Sequence, residues 1–288
     1  MLPQWAESFR TMHIIMSESK ERTPKLGKRL LTKGAVYVAA VAVWVGIWQL
    51  AAMRVGTEFI LPSPVATLKT LWYLLGKPEF YIASLGSMLR IIGGFTAGAA
   101  AGALLAALGY FFPVTEILFS PLLKVVRATP VASFILIVVL WIPSSVVPVF
   151  ISFLMVLPIV YGNVLAGFRS TDPGLREAAV MYSFSAPKKL VLMYIPTALP
   201  YFGAACMTSL GLAWKAGIAA EVLCVTRDSI GNYLYTSKLY MESAELFAWT
   251  LTVILLSILL EEAVKLIAKG GKRITGRRYG RNNSRKHI

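Results

Sequence analysis

Long stretches without a single Asp, Glu, Lys or Arg alternate along the chain with short polar connections. Charge-free runs occupy 34–53, 91–115, 128–168 and 190–214. A helix rises about 1.5 Å per residue, so roughly 20 apolar residues cross a hydrocarbon core about 30 Å thick. Three of the runs therefore hold one span each. The run 128–168 holds two, turned by Ile142-Pro143-Ser144-Ser145. A sixth span begins in Leu246–Leu260 and is lengthened by the amphipathic Glu261–Ala268. The pattern predicts an all-α membrane protein with about six transmembrane helices, near 35–53, 88–111, 116–141, 146–166, 195–213 and 246–267. The third is expected to bend where Pro130 removes a backbone donor. Residues 214–245 are expected to face outward or re-enter. A soluble protein would have to hide these uncharged runs in its core, and that reading is set aside.

Composition agrees, with 57% hydrophobic and 15% charged residues against about 45–50% and 25% in soluble domains. A net charge of +15 would suggest nucleic acid for a soluble protein. Here the charge sits in the tails: residues 1–34 carry seven Lys or Arg, and 269–288 carry eight with no acid. Basic tails and short loops stay cytoplasmic and favour anionic lipid. With both tails inside, the inner segments hold nineteen Lys or Arg and the outer segments 54–85 and 214–245 hold six. The division is a basic tail at 1–34, a membrane domain at 35–268 with a long inner loop at 167–194, and a basic tail at 269–288. The polar residues before the first span, and that span's length, mark it as retained rather than as a cleaved leader.

Candidate chemistry is sparse. Cys206 and Cys224 lack metal or redox spacing and read as small apolar packing residues. His13 and His287 lie in the tails. No metal cluster or nucleophile constellation falls in an inner loop, which argues against an enzyme. Span two carries Gly94, Gly98 and Gly102 at four-residue spacing, a small-residue face for close helix approach. It serves either packing within the chain or a subunit interface. In the inner loop, Asp172-Pro173 reads as an N-cap followed by Pro at the first helical position. Ser183, Ser185 and Pro187 then interrupt the helix, and a second one enters the membrane at Pro196.

This loop resembles the Glu-Ala-Ala loop of ATP-binding-cassette (ABC) importer permeases. Glu177, Ala178 and Ala179 match its opening, and Ile195, Pro196 and Pro200 match its close. Ser183 stands where the family usually has Gly, which implies a different turn or some strain. Tyr194–Pro196 departs from the usual apolar pair before Pro. Across about 35–268 the chain is most similar to the nitrate, sulfonate and taurine branch. The resemblance is carried by Leu61-Pro62-Ser63-Pro64, Arg90 with Gly94-Phe95, Arg127-Ala128-Thr129-Pro130, Trp214-Lys215-Ala216-Gly217 through Glu221, and Ser229-Ile230-Gly231. Trp141–Ser145 departs from that branch's Gly-rich turn.

The resemblance implies a type I importer permease fold in the cell membrane, with both termini cytoplasmic. It also implies partners: a cytoplasmic ABC ATPase dimer, an extracytoplasmic solute-binding protein and a second permease copy. The chain has no Gly-x-x-x-x-Gly-Lys-Ser/Thr loop, so ATP and Mg would be bound by the ATPase, and no cofactor or metal is expected here. The ATPase-coupling residues carried over are Arg176, Glu177, Ala178, Ala179, Ser183, Pro196 and Pro200. Glu177 either caps or pairs in that role, or is a solvated acid at a helix start. Ionisable groups at membrane depth are costly and usually face the protein interior, so Arg90, Lys124, Arg127, Lys215 and Glu221 are candidates for the solute path. Lys124 and Arg127 either guide an anion or snorkel to the interface. Lys215 and Glu221 either line the path or pair with each other. The alternatives to an importer are an ATP-independent secondary transporter or channel, for which paired intramembrane acids and two-half symmetry are missing, and a scaffold or insertase.

Overall fold

A computed structural model describes the backbone of residues 23–283 and the side chains of 36–266. The ends of both basic tails, with His13 and His287, lie outside the described residues. The described residues divide into two compact units at the Ala66–Thr67 junction.

In the first unit, α1 (Thr23–Val55) carries the first span, Val36–Val55, almost wholly exposed apart from the buried Ala52. Gly56 at φ +72° closes it, donating to the Ala52 carbonyl at 3.0 Å. Glycine adopts this left-handed cap without a Cβ penalty. Beyond it, Trp48 Nε1 donates to the Pro62 carbonyl at 3.0 Å. Ser63 Oγ accepts from Ala66 N at 3.1 Å and caps α2 (Pro64–Leu75), which has Pro at its first position.

The second unit is a helical bundle. Its elements are α3 (Pro78–Phe111), α4 (Pro113–Ala128), α5 (Val131–Val138), α6 (Val147–Arg169), α7 (Pro173–Met181), α8 (Ala186–Lys189), a π-helical stretch (Leu190–Tyr194), α9 (Ile195–Cys224), α10 (Ile230–Leu239) and α11 (Ser243–Asn283). Among the described residues of the whole chain there is no strand. Among the described residues five helices are long and apolar enough to cross a membrane, or six with the bent pair α4–α5 taken as one span.

The core is α6 between α3 and α9, and the glycine face explains how close α3 comes. A Cβ on Gly98 would lie 2.7 Å from the Phe153 carbonyl oxygen, and one on Gly102 would lie 2.7 Å from that of Leu157. Gly94 meets the Val149 carbonyl in the same way. The stripe therefore serves packing within this chain, where small residues let membrane helices meet backbone to backbone. Ser152 Oγ ties α6 to α9 by donating to the Ala213 carbonyl at 3.2 Å, and Trp214 Nε1 donates to the Val253 carbonyl of α11 at 3.1 Å. Cys206 and Cys224 are free thiols packed among apolar neighbours.

Three element boundaries differ from the hydropathy reading. Helix α3 starts at Pro78, ten residues before the expected span, because Pro at the first position and Glu79 in the first turn favour a helix start. The third span is broken outright: α4 and α5 meet at 104° around Pro130, whose ring fixes φ and removes a donor. Helix α9 does not end near 213 but runs unbroken to Cys224, so Lys215 and Glu221 lie on a helix and not in a re-entrant segment.

Candidate functional site

Two sets of residues gather at opposite ends of α6, whose 23 residues span about 35 Å. At its C-terminal end lies the loop that the sequence singles out. Asp172 Oδ1 accepts from Gly174 N at 2.6 Å and Leu175 N at 3.3 Å, so α7 is capped as its sequence predicts. Helix α7 projects: Arg176 and Glu177 are exposed, Ala178 is half-buried and Ala179 alone is buried. Glu177 forms no salt bridge among the described residues. Val180, Met181 and Tyr182 add exposed apolar surface, with Met181 83% exposed.

The helix stops at a left-handed residue, Ser183 at φ +50°. Ser183 N donates to the Val180 carbonyl at 2.9 Å and Phe184 N to the Ala179 carbonyl at 3.0 Å, the paired bonds of a Schellman ending. The turn that a glycine would make is thus retained with serine, under strain. A non-glycine residue in this region costs about 1–2 kcal/mol, and a glycine gives back roughly 0.5–1 kcal/mol in unfolded-state freedom. Ser183→Gly should therefore stabilise the turn by about 0.5–1 kcal/mol, and Ser183→Val should weaken it. Slower hydrogen exchange at the Phe184 amide in the glycine variant is the readout; faster exchange there would count against a left-handed turn.

The helix that follows begins at Ala186, ten residues before Pro196. Pro196 has no N–H and its ring crowds the turn before it. The chain answers with the π register of Leu190–Tyr194, in which Ile195 N reaches back to the Leu190 carbonyl. Pro196 and Pro200 are exposed on α9. Arg169 Nη2 contacts both oxygens of Glu116 on α4, at 2.6 and 2.7 Å.

At the other end, Glu221 of α9 is fully buried. Its carboxylate accepts from Ser87 Oγ at 2.7 Å, Gly231 N at 3.3 Å and Arg90 Nη1 at 3.1 Å. Arg90 Nη2 donates to the Arg227 and Asp228 carbonyls, each at 3.2 Å. The α9–α10 turn, with Val225 and Asp228 left-handed, is thereby tied to α3. Thr226 Oγ1 donates to the Ser144 carbonyl at 2.8 Å and ties the same turn to the α5–α6 connection.

Among the path candidates the structure brings together only Arg90 and Glu221, which offset each other's charge. Lys215, six residues before Glu221, points to another face of α9 and is exposed, so those two are not partners. Lys124 is exposed on α4. Arg127 donates to the Pro158 carbonyl of α6, beside Gly162, where the absent side chain leaves room for the guanidinium. Sequence reasoning missed Ser87, Thr226 and the Glu116–Arg169 pair. Only Ser229, as a cap before Ile230, carried a local signal.

A bundle of several apolar helices long enough to cross a membrane, with a capped helix projecting between two of them, is that of a multi-pass membrane protein. Residues 94–270 match the family described as "binding-protein-dependent transport system inner membrane component", and the chain belongs to that family, the permeases of ABC importers. A Bacillus subtilis permease named for aliphatic sulfonates transport is 26% identical over 79% of this chain and 83% of its own length. The nitrate import permease of Synechocystis sp. is 27% identical over 70% and 78%, and the taurine transport system permease of Escherichia coli is 22% identical over 87% and 91%. The fold is similar to a solved amino acid ABC transporter crystallised with histidines, with a TM-score of 0.54 at 16% identity over 72% of this chain and 97% of that one.

Proposed function

We propose that this permease forms the membrane path of an importer for a small solute and passes the work of a separate ATPase dimer to that path through residues 167–194. The observation that carries the reading is α7 itself. It is a short capped helix between two spans, with its charged and apolar side chains exposed and one alanine buried. Such a helix suits a cleft on a soluble partner: Ala179 seats it on its own chain, the small half-buried Ala178 permits close approach, and Met181 and Tyr182 supply apolar contact. ATP and Mg would be held by the ATPase, and this chain would be non-catalytic. A solute-binding protein on the far face would deliver the solute, and a second copy of this chain would complete the path. The relatives' names support a sulfonate, nitrate-like oxyanion or taurine-like solute; a thiamine-precursor-like compound is also compatible with the branch. The excess of basic residues in the tails and inner loop supports cytoplasmic termini and a cytoplasmic α7.

Purification from the native membrane should yield a stoichiometric phosphate-loop ATPase, and its absence would favour an ATP-independent carrier. In the purified complex, Ala178→Asp places an unpaired charge on the close-approach face and Glu177→Lys reverses the helix-start charge. Each should lower ATP-dependent uptake by roughly tenfold or more, the equivalent of about 1.4 kcal/mol of coupling, with the permease still folded. Unchanged uptake and unchanged ATPase stimulation in both variants would remove α7 from the coupling role.

A further inference from the structure

The loop leaves the bundle at Phe168 and returns at Tyr194, and these two side chains meet. Their ring centroids are 6.2 Å apart at 82°. Both also pack on the last turn of α3. Tyr194 lies 5.1 Å from Tyr110 and 5.3 Å from Phe111, at 61° and 87°. Phe168 lies 5.6 Å from Tyr110 and 6.3 Å from Phe111. The three contacts of Tyr194 are edge-to-face, the geometry that ring quadrupoles favour, and the two of Phe168 with α3 are tilted. Phe168 is buried, and its neighbour Arg169 holds Glu116 of α4. The two roots of the loop are thus fastened to each other and to α3 and α4.

Between the roots the chain is less constrained. Helix α7 ends at the strained Ser183 turn, and Leu190–Tyr194 follows the π register, in which hydrogen bonding departs from the regular ladder and which recurs at functional sites. Two such joints in series would absorb a displacement of α7 before it reached α9. A ring cluster that clamps the returning helical segment to the departing one shortens that route, because closely packed side chains shift between discrete arrangements rather than deform smoothly.

We infer that Tyr194, held between Phe168 and the Tyr110–Phe111 pair, is the positioning residue that converts movement of α7 into joint movement of α3 and α9. This inference rests on the coupling reading above and names the side chain through which coupling passes. In the sequence Tyr194 shows only as part of Tyr194–Pro196, which departs from the family's usual apolar pair before Pro.

The test uses the full permease with its ATPase subunits in lipid nanodiscs. A spin label is placed at Lys238→Cys, on an exposed site of α10, with Cys206→Ala and Cys224→Ala. The distance between labels on the two permease copies is measured with and without vanadate-trapped nucleotide. In the labelled parent the trap should shift this distance. Tyr194→Leu, which keeps apolar bulk but removes the ring, should retain the ATPase and lose most of the shift, as should Tyr194→Ala. Tyr194→Phe should restore it. A full shift in Tyr194→Leu with the ATPase still bound overturns the inference while leaving the coupling reading intact. So does loss of the ATPase in that variant, or a lost shift in Tyr194→Phe. A parent that holds no ATPase, or shows no shift, sinks the coupling reading and this inference with it.

Discussion

Gly98→Val is expected to prevent the permease from accumulating in the membrane, whereas Gly93→Ala, five residues earlier on the same helix, is expected to be neutral or mildly stabilising. A Cβ at Gly98 would lie 2.7 Å from the Phe153 carbonyl oxygen, 3.2 Å from the Phe153 Cα and 3.0 Å from the Val156 Cβ. The first two neighbours are backbone of α6 and cannot rotate away, so α3 would have to separate from α6 along its length. Overpacking of a well-filled core costs typically 1–3 kcal/mol. A branched residue against backbone belongs at or beyond the upper end, while a whole fold commonly rests on about 5–15 kcal/mol. A Cβ at Gly93 meets nothing within 4 Å, and alanine there gains roughly 0.5–1 kcal/mol of helix propensity. Quantifying folded permease by size-exclusion chromatography in detergent, with melting temperatures for both variants, checks the contrast. Equal behaviour of the two would show that the α3–α6 approach is looser than described.

That prediction uses a feature plain in the sequence: three glycines at helical spacing in an uncharged run need a close neighbour, although only the fold says which. Other features were legible for the same local reason. Asp172-Pro173 announces a helix start wherever it occurs, and Pro130 ends a helix whatever surrounds it. What was hidden depended on distant partners. Charge made 214–221 look like the end of a span, yet Glu221 is buried because Ser87 and Arg90, more than 130 residues away, reach it. Tyr110, Phe168 and Tyr194 look like ordinary interfacial aromatics along the chain, and only the topology brings three helix ends together. Ser183 lay between the two cases. Its departure from glycine was visible, but whether the turn would change or strain needed the backbone.

Arg90→Met is expected to destabilise the permease far more than Glu221→Gln, although the two residues form one ion pair. Removing the arginine leaves the Glu221 carboxylate fully buried, with two remaining donors and no cation. Breaking a buried pair from one side costs about 3–5 kcal/mol. Because 21% of the Arg90 side chain is exposed, some water reaches the site, and about 3 kcal/mol is the expectation. The same change frees the Arg227 and Asp228 carbonyls, so the α9–α10 turn should also loosen. Glutamine at 221 keeps an oxygen for Ser87 and Gly231, and Arg90 keeps both carbonyls and its solvent contact. The amide nitrogen then faces Arg90 Nη1 and cannot accept from it, so that one bond is lost, but the charge whose burial it offset is gone as well, and the net cost is about 1 kcal/mol. Unfolding midpoints in lipid or mild detergent should therefore rank parent, Glu221→Gln, Arg90→Met, with the second gap the wider. Amide exchange across 225–231 should quicken chiefly in Arg90→Met. The reverse ranking would mean that Arg90 is held mainly by the turn and that Glu221 stands in water. These ends of α3 and α9 would then be joined by the backbone contacts of Arg90 and the Ile230 N–Ser87 Oγ hydrogen bond, and the Glu221 carboxylate would be free to serve a solute.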